Sequence, residues 1–412
     1  MELKNDVKVY KIIRAEQERE KESIELIASE NYASKAVREA AGCVFTNKYS
    51  EGKPHKRYYA GQKNVDEIED LAVERALRMF KLSPRRWHVN IQPYSGSPAN
   101  LEVYFAFLEF GDRVMGMKLD EGGHLTHGHF VNFSGRAYNF VQYPVDHKTG
   151  RLDYDYIEKM AVREKPKMIV CGATAYSRII NFRKFRMIAN KVGAILFADI
   201  SHIAGLIVGG VHPSCFPWSD VMMTTTHKTL RGPRGAIIIC KDKYAKQVDK
   251  AVFPGMQGGP HDNVTAAKAV AFGEALKPSF KKYARQIVKN AKTLASQLKE
   301  YGFEVISGGT DNHLMLVDLR PANINGKNAQ LALESANIIV NKNTIPGDPE
   351  KPMIGSGIRI GTPAVTTREM KEKQMKIIAK LMNDVLRNPT DEKVIRKTKQ
   401  ETKKLALKFP VP

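Results

Sequence analysis

The chain has 412 residues, 42% of them hydrophobic, enough for a large core and two or three domains. Its net charge of +21 favours polyanions, yet no nucleic-acid module or RNP-like aromatic pattern accompanies it, so a solvated basic surface with at most weak, secondary nucleic-acid affinity is expected. No segment approaches the about 20 apolar residues of a spanning helix, the opening "MELKNDVKVYKIIRAEQERE" has no signal-like apolar run, and Cys43, Cys171, Cys215 and Cys240 form no C-x-x-C pair, which predicts a cytoplasmic protein with neither a metal site nor a disulfide framework.

In chain order, the first strong signal is Asn64 to Phe80. Apolar residues at Val65, Ile68, Leu71, Ala72, Ala76 and Met79 follow helical spacing. "YSGSPAN", Tyr94 to Asn100, then opens into "LEVYFAFLEFG", which reads as a helix. Backbone N–H groups at such a start, beside small hydroxyl residues, bind phosphate, and Ser95, Gly96 and Ser97 fit that use. A plain serine N-cap accounts for them equally well.

"KMIVCG", "AILFAD" and "GAIIIC" are short apolar runs suited to strands buried on both faces. Helical stretches lie between them, so the fold class is α/β with a mostly parallel sheet. In "FADISHIAG", Asp199 ends one of these strands and His202 follows three residues later. Ligands of parallel sheets sit beyond the carboxyl ends of the strands, so the pair could face a ligand. Alternatively, Asp199 caps the next turn. "TTTHKTLRGPRG", Thr224 to Gly235, places Lys228 just before the strand "AIIIC". A lysine amine that condenses with an aldehyde, with a carboxylate to keep a pyridine nitrogen protonated, is what pyridoxal phosphate requires. "FPGMQGGP" is glycine-rich but has no following G-K-[ST], so it is not a Walker loop.

Near Pro278 the texture changes. "FKKYARQIVKNAKTLASQLKEYG" is an amphipathic helix with Ile287, Ala291, Leu294 and Leu298 on one face and Gly302 as its stop. The strand-like "HLMLVDL" and "SGIRIGTP" follow, then two more helical segments ending in the basic stretch Arg396 to Lys408. This predicts a large domain over 1–275 and a smaller α+β domain over 276–412. Arg359 lies in a strand among glycines that permit close approach, a setting suited to bidentate carboxylate binding. A half-exposed surface arginine is the plainer alternative.

Taken together, "ELIASEN", "TNKYSEGKPHKRYYAG", "QPYSGSPAN", "GGHLTHG", "ADISHIAGL", "TTTHKTLRGPRG", "FPGMQGGP", "GGTDNHLMLVDL", "VNKNTIP" and "SGIRIGTPA" resemble the motifs of serine hydroxymethyltransferases, in the family's order and over nearly the whole chain. The resemblance implies the fold type I architecture of pyridoxal-phosphate enzymes and transfer of a one-carbon unit between serine and tetrahydrofolate, leaving glycine. It also implies site residues. Lys228 would carry the cofactor, Asp199 would pair with the pyridine nitrogen, and His124 would stack on the ring. His202 and Thr174 would lie near the ring hydroxyl, with Thr174 standing where the family usually has serine. Ser95, Gly96 and Ser97 would hold the phosphate. Tyr49, Gly258 and Gly259 would reach it from a neighbouring subunit, giving a homodimer or a dimer of dimers.

By the same resemblance Arg359 would bind the amino-acid carboxylate, helped by Ser29 and Tyr59. Glu51 would be the acid/base group near the serine hydroxyl. Leu119, Gly123, Leu125 and Asn343 would line the folate pocket, and Thr226 and His227 would tune the surroundings of Lys228. Three departures from the family pattern stand out: Met223 for the first threonine of the usual four, Ala60 for glycine, and no aromatic residue after the proline of "PMIGSGIR". A threonine aldolase or an α-methylserine hydroxymethyltransferase would use the same lysine, aspartate and arginine. An RNA-binding protein on the same fold is a further alternative. The pterin could be tetrahydrofolate or a modified form.

Overall fold

The computed structural model describes residues 2–412, which divide into two compact units. One is Ala33–Arg285. The other joins residues 2–32 to Gln286–Pro412. The expected division at 275/276 thus falls ten residues earlier than the observed one, and it does not anticipate that the N-terminal segment groups with the C-terminal stretch.

The larger unit is built on seven strands: β1 (Trp87–Asn90), β2 (Arg113–Met117), β3 (Asn139–Tyr143), β4 (Met168–Cys171), β5 (Ile195–Asp199), β6 (Val221–Thr225) and β7 (Ala236–Lys241). Their spatial order is β1-β7-β6-β5-β4-β2-β3. The pairs from β6 through β5, β4 and β2 to β3 are parallel, while β7 runs antiparallel to both of its neighbours. Every residue of β4 and β6 is buried, as expected for strands covered by helices on both faces. Between β4 and β5 the helix Phe182–Val192 starts at Asn181, whose side chain accepts from Lys184 N, and stops at Gly193 in the left-handed region (φ 69°).

The helix expected over 64–80 is Lys63–Met79. The one expected over "LEVYFAFLEFG" starts earlier, at Gly96, and ends at Phe107, because Leu108 is extended. Because β7 is antiparallel to both β1 and β6, β1 points the same way as β5 and β6. The carboxyl ends of β1, β2, β4, β5 and β6 therefore share one edge of the sheet, and the segments leaving that edge carry Gly96, His124, Thr174, His202 and Lys228.

The second unit has a four-stranded antiparallel sheet: β8 (Glu304–Val305), β9 (Leu314–Asp318), β10 (Asn341–Asn343) and β11 (Gly357–Gly361), in the order β8-β9-β11-β10. Its core joins Leu294 and Leu298 to Met315, Val317, Ile358 and Ile360, and to Met375, Ile378 and Met382 of the helix Glu372–Arg387. The N-terminal segment enters this core at Ile24 and Leu26, and Ile24–Glu25 pairs in parallel with Ile338–Ile339.

Arg368 ties that segment down. It is almost fully buried and donates to Glu20 O (3.1 Å), Lys21 O (3.1 Å) and Ser23 O (2.7 Å) at the end of the helix Val7–Glu22. It also donates to Ala406 O and Phe409 O (both 2.6 Å) at the end of Glu392–Ala406. Terminal helical carbonyls have no partner within their helix, and one guanidinium supplies donors to two such ends. In the helix Glu392–Ala406 the buried residues are Thr398, Thr402, Leu405 and Ala406, while Lys397, Lys399, Lys403 and Lys404 are exposed, as a solvated basic face requires. Among the described residues no helix is long and apolar enough to cross a membrane.

Candidate active site

Asp199 is the last residue of β5 and lies deep at the carboxyl edge. Its Oδ2 accepts from His127 Nε2 and from Asn100 Nδ2, both at 3.1 Å. Burial opposes its charge. The hydrogen bond from His127, with further attraction from the charge of Lys228, outweighs that cost and holds the carboxyl far below its ordinary pKa. The His127 tautomer is fixed from the other side. The backbone N–H of His124 donates to His127 Nδ1 (3.2 Å), so Nδ1 is an acceptor and Nε2 carries the proton toward Asp199. His124 is set similarly, since Thr126 N donates to its Nδ1 (3.2 Å) and Thr126 Oγ1 lies 2.7 Å from the same nitrogen. Asn100 also donates to Thr126 Oγ1 (2.7 Å), which joins His124, Thr126, Asn100, Asp199 and His127 in one network.

Lys228 follows β6 in a loop clamped by Thr226. Thr226 N donates to Gly235 O (2.9 Å), its Oγ1 to Pro233 O (2.6 Å), and its carbonyl accepts from Gly232 N (2.7 Å). A Cβ at Gly232 would stand 2.8 Å from Thr226 O, so the close turn needs glycine there. The Gly-Pro-Arg sequence after the lysine thus folds the chain back and presents Lys228 at the strand end. His227 is pushed down to about 3 by burial, then by the charges of Lys228 and Arg234, so it is neutral at pH 7. Met223 stands in β6, where its Sδ accepts from Ser201 Oγ (3.2 Å). That bond accommodates the departure from threonine at this position.

Six predicted residues line one small cavity: Gly96, His124, Thr174, Asp199, His202 and Lys228. Thr174 N and Ala175 N both donate to Gly122 O (2.7 and 3.1 Å), which draws the loop after β4 onto the loop bearing Leu119, Gly123, His124 and Leu125. Ser95 stands at the N-cap of Gly96–Phe107, but its hydroxyl makes no capping bond. The ordinary serine-cap reading therefore fails. The first N–H groups of a 12-residue helix are left open to an anion, flanked by Ser95 and Ser97.

Sequence reasoning missed Asn100, His127, Ser201 and Thr225. Asn100 ends the phosphate motif and His127 stands three residues after His124 in "GGHLTHG", so both were visible as residue types but not as partners of Asp199. The buried atoms Asn100 Oδ1 and Thr225 Oγ1 belong to cavity-lining residues and have no hydrogen-bond partner within the protein. Such orphans point to a polar ligand. With an amine, an ionised buried carboxylate and an open helix start around one cavity, the donor set fits pyridoxal phosphate.

A second group of predicted residues gathers elsewhere on this unit. Tyr49 Oη donates to Glu51 Oε1 (3.2 Å), and the Tyr49 and Tyr59 rings meet edge to face at 5.2 Å. A Cβ on Gly258 would lie 3.1 Å from Glu51 Oε1, and one on Gly259 would lie 3.3 Å from the Tyr49 ring. None of the five lines the Lys228 cavity. Tyr49, Tyr58 and Tyr59 are exposed, forming an aromatic patch on the described chain.

The other unit holds Arg359, in the middle of β11 and buried. Its Nε donates to Asn341 Oδ1 (3.1 Å) and one terminal nitrogen to Ser29 Oγ (3.3 Å). Burial lowers its pKa to about 10, so it keeps its charge at pH 7. Asn341 is its register partner on β10, a residue not anticipated from the sequence. Asn343 lies two positions along and donates to Thr344 O (2.7 Å). A family model described as serine hydroxymethyltransferase matches residues 3–382 of the 412, and the chain belongs to that family.

Proposed function

We propose that the family's reaction, reversible transfer of the hydroxymethyl carbon of serine to tetrahydrofolate, runs in this chain on Lys228, Asp199, Arg359 and Glu51. The observation that carries this reading is that Lys228 and Asp199 share one buried cavity with the open helix start at Gly96. Lys228 would hold pyridoxal phosphate through its amine, Asp199 would keep the ring nitrogen protonated, and His124 would cover the ring face. His202 and Thr174 would address the ring hydroxyl, and Ser95, Gly96, Ser97 and Thr225 the phosphate. When bound, the cofactor supplies an electron sink for the pair left on the amino acid's α-carbon. Arg359, steadied by Asn341 and Ser29, would hold the substrate carboxylate. Glu51 would move the proton on the serine hydroxyl oxygen.

Tyr49, Glu51, Tyr59, Gly258 and Gly259 would complete the site of a neighbouring subunit. The exposed aromatic patch they form, apart from the Lys228 cavity, supports a homodimer as the working unit. Leu119, Gly123, Leu125 and Asn343 would receive the pterin. The exposed lysines of the C-terminal helix support only weak, salt-sensitive affinity for polyanions. A cytoplasmic location remains part of this reading.

Tetrahydrofolate is expected to accelerate serine cleavage by about 10²-fold or more, because a bound acceptor replaces a bimolecular capture. Initial rates with and without it test this, and equal rates would move the assignment to an aldolase. Arg359→Lys is expected to raise KM for serine by roughly 10²-fold with a smaller change in kcat, since an ammonium cannot grip a carboxylate with a planar two-point fork. Steady-state kinetics over a wide serine range would read the split, and an unchanged KM would remove Arg359 from the carboxylate site.

A further inference from the structure

β1 and β7 pair in register from Trp87↔Lys241 to Asn90↔Ile238. Beyond Asn90 the chain leaves β7 and runs through Ile91–Tyr94 to Ser95 and the helix at Gly96. Two buried side chains take the carbonyls of this departing stretch, and Pro93 O also accepts from Ala236 N across the gap (3.3 Å). Lys268 Nζ donates to Ile91 O (2.7 Å), Pro93 O (3.1 Å) and, across the gap, to Ala236 O at the start of β7 (2.9 Å). Gln257 donates to Gln92 O (3.0 Å) and accepts from Tyr94 N (2.9 Å).

Lys268 sits on the helix Asp262–Ala275 and is almost completely buried. Its three acceptors match the three N–H bonds of an ammonium. Gly235 makes room for its stem, since a Cβ there would lie 2.7 Å from Lys268 Cε. Glu102, on the phosphate helix itself, is fully buried, and neither of its carboxylate oxygens has a hydrogen-bond partner. Burial lowers the Lys268 pKa to about 7, against attraction from Glu102 and Glu69, and raises that of Glu102 to about 8. A lysine is costly in such a place unless all its donors are used. None of these groups touches the cavity around Lys228.

We propose that Lys268 is a positioning residue for the phosphate cradle: its ammonium bridges the point where β1 and β7 part, fixes Ile91–Ser95, and so aims the first N–H groups of Gly96–Phe107 at the cofactor's phosphate. The proposal rests on the reading of that helix start as the phosphate site. A misplacement of about 1 Å at an anion site can cost on the order of 10²-fold.

The test is the dissociation constant of the full-length protein, stripped of cofactor, for pyridoxal phosphate and for pyridoxal, which lacks the phosphate. Lys268→Met is expected to weaken pyridoxal phosphate by about 10- to 100-fold and pyridoxal by less than about threefold. Lys268→Gln retains two N–H donors and is expected to fall between. If the unsubstituted protein binds both compounds equally, the helix start is not a phosphate site and the underlying reading fails. If it prefers the phosphorylated form but the variants lose both compounds alike, or neither, the proposal is overturned while the phosphate site stands. Loss of cooperative melting in both variants would likewise overturn it, since Lys268 would then act through stability alone.

Discussion

Lys228→Ala is expected to keep the fold and to lose serine cleavage by about 10⁴-fold or more, the scale seen when a group that acts as a unit with its neighbours is removed. Retention of the fold follows from where the side chain sits. It lines a cavity, whereas the loop around it is held by Thr226 and Gly232 through backbone and hydroxyl bonds that alanine leaves untouched. The catalytic loss follows from two roles ending together. The amine that would anchor the cofactor's aldehyde is gone, and so is one basic nitrogen of the cavity wall that could move a proton on the substrate. Melting curves would separate folding from catalysis. Borohydride reduction of the cofactor-loaded protein, followed by peptide mapping, should label Lys228 in the unsubstituted chain. A variant that keeps more than about a tenth of the activity would remove Lys228 from its role.

The legibility of this site in the sequence varied with the kind of signal. Asp199 could be read because a buried strand ending in a carboxylate breaks its own apolar pattern. Lys228 could be read because a lysine between hydroxyls and a Gly-Pro-Arg turn suits no ordinary surface. The strands "KMIVCG", "AILFAD" and "GAIIIC" appeared where apolar runs of strand length predicted them. His127 was harder. It lies in a quoted motif, but its role depends on a contact 72 residues away that no local spacing encodes.

The grouping of residues 2–32 with the C-terminal unit was not legible for a related reason. Its anchor, Arg368, packs on the Tyr32 ring but ties the segment down through backbone carbonyls, and every residue offers a carbonyl, so no residue type marks those partners. Lys268 escaped notice in the same way. Its three acceptors are carbonyls, and a lysine on a helix otherwise reads as solvated. Buried cations that hold backbone are thus the features that pattern reading leaves to the structure.

Asp199→Asn should lower kcat/KM by about 10²- to 10³-fold while the cofactor still binds, because electrostatic groups placed at developing charge are worth about that much each. Asparagine preserves shape and its oxygen can still accept from His127, while its amide nitrogen replaces the oxygen that accepts from Ser201 N (3.1 Å), so the change removes the charge and one hydrogen bond. In the native chain the His127 hydrogen bond and the Lys228 charge hold the carboxylate ionised against the cost of burial. The sign follows from that balance. A depressed folded pKa means the ionised form favours the native state above the unfolded value of about 3.9, an advantage lost only as pH falls through the folded value. Over roughly pH 6 to 9 the residue does not titrate, so the loss in the variant should be nearly constant across that range. An Asp199→Asn loss that vanished at one end of the range would mean that a different group sets the ring nitrogen's charge. Cofactor affinity should fall far less than kcat, since Ser95, Ser97 and the helix start are unaltered. A variant that failed to bind cofactor at all would instead make Asp199 a structural partner of Asn100 and His127, and the protonated ring nitrogen would need another source.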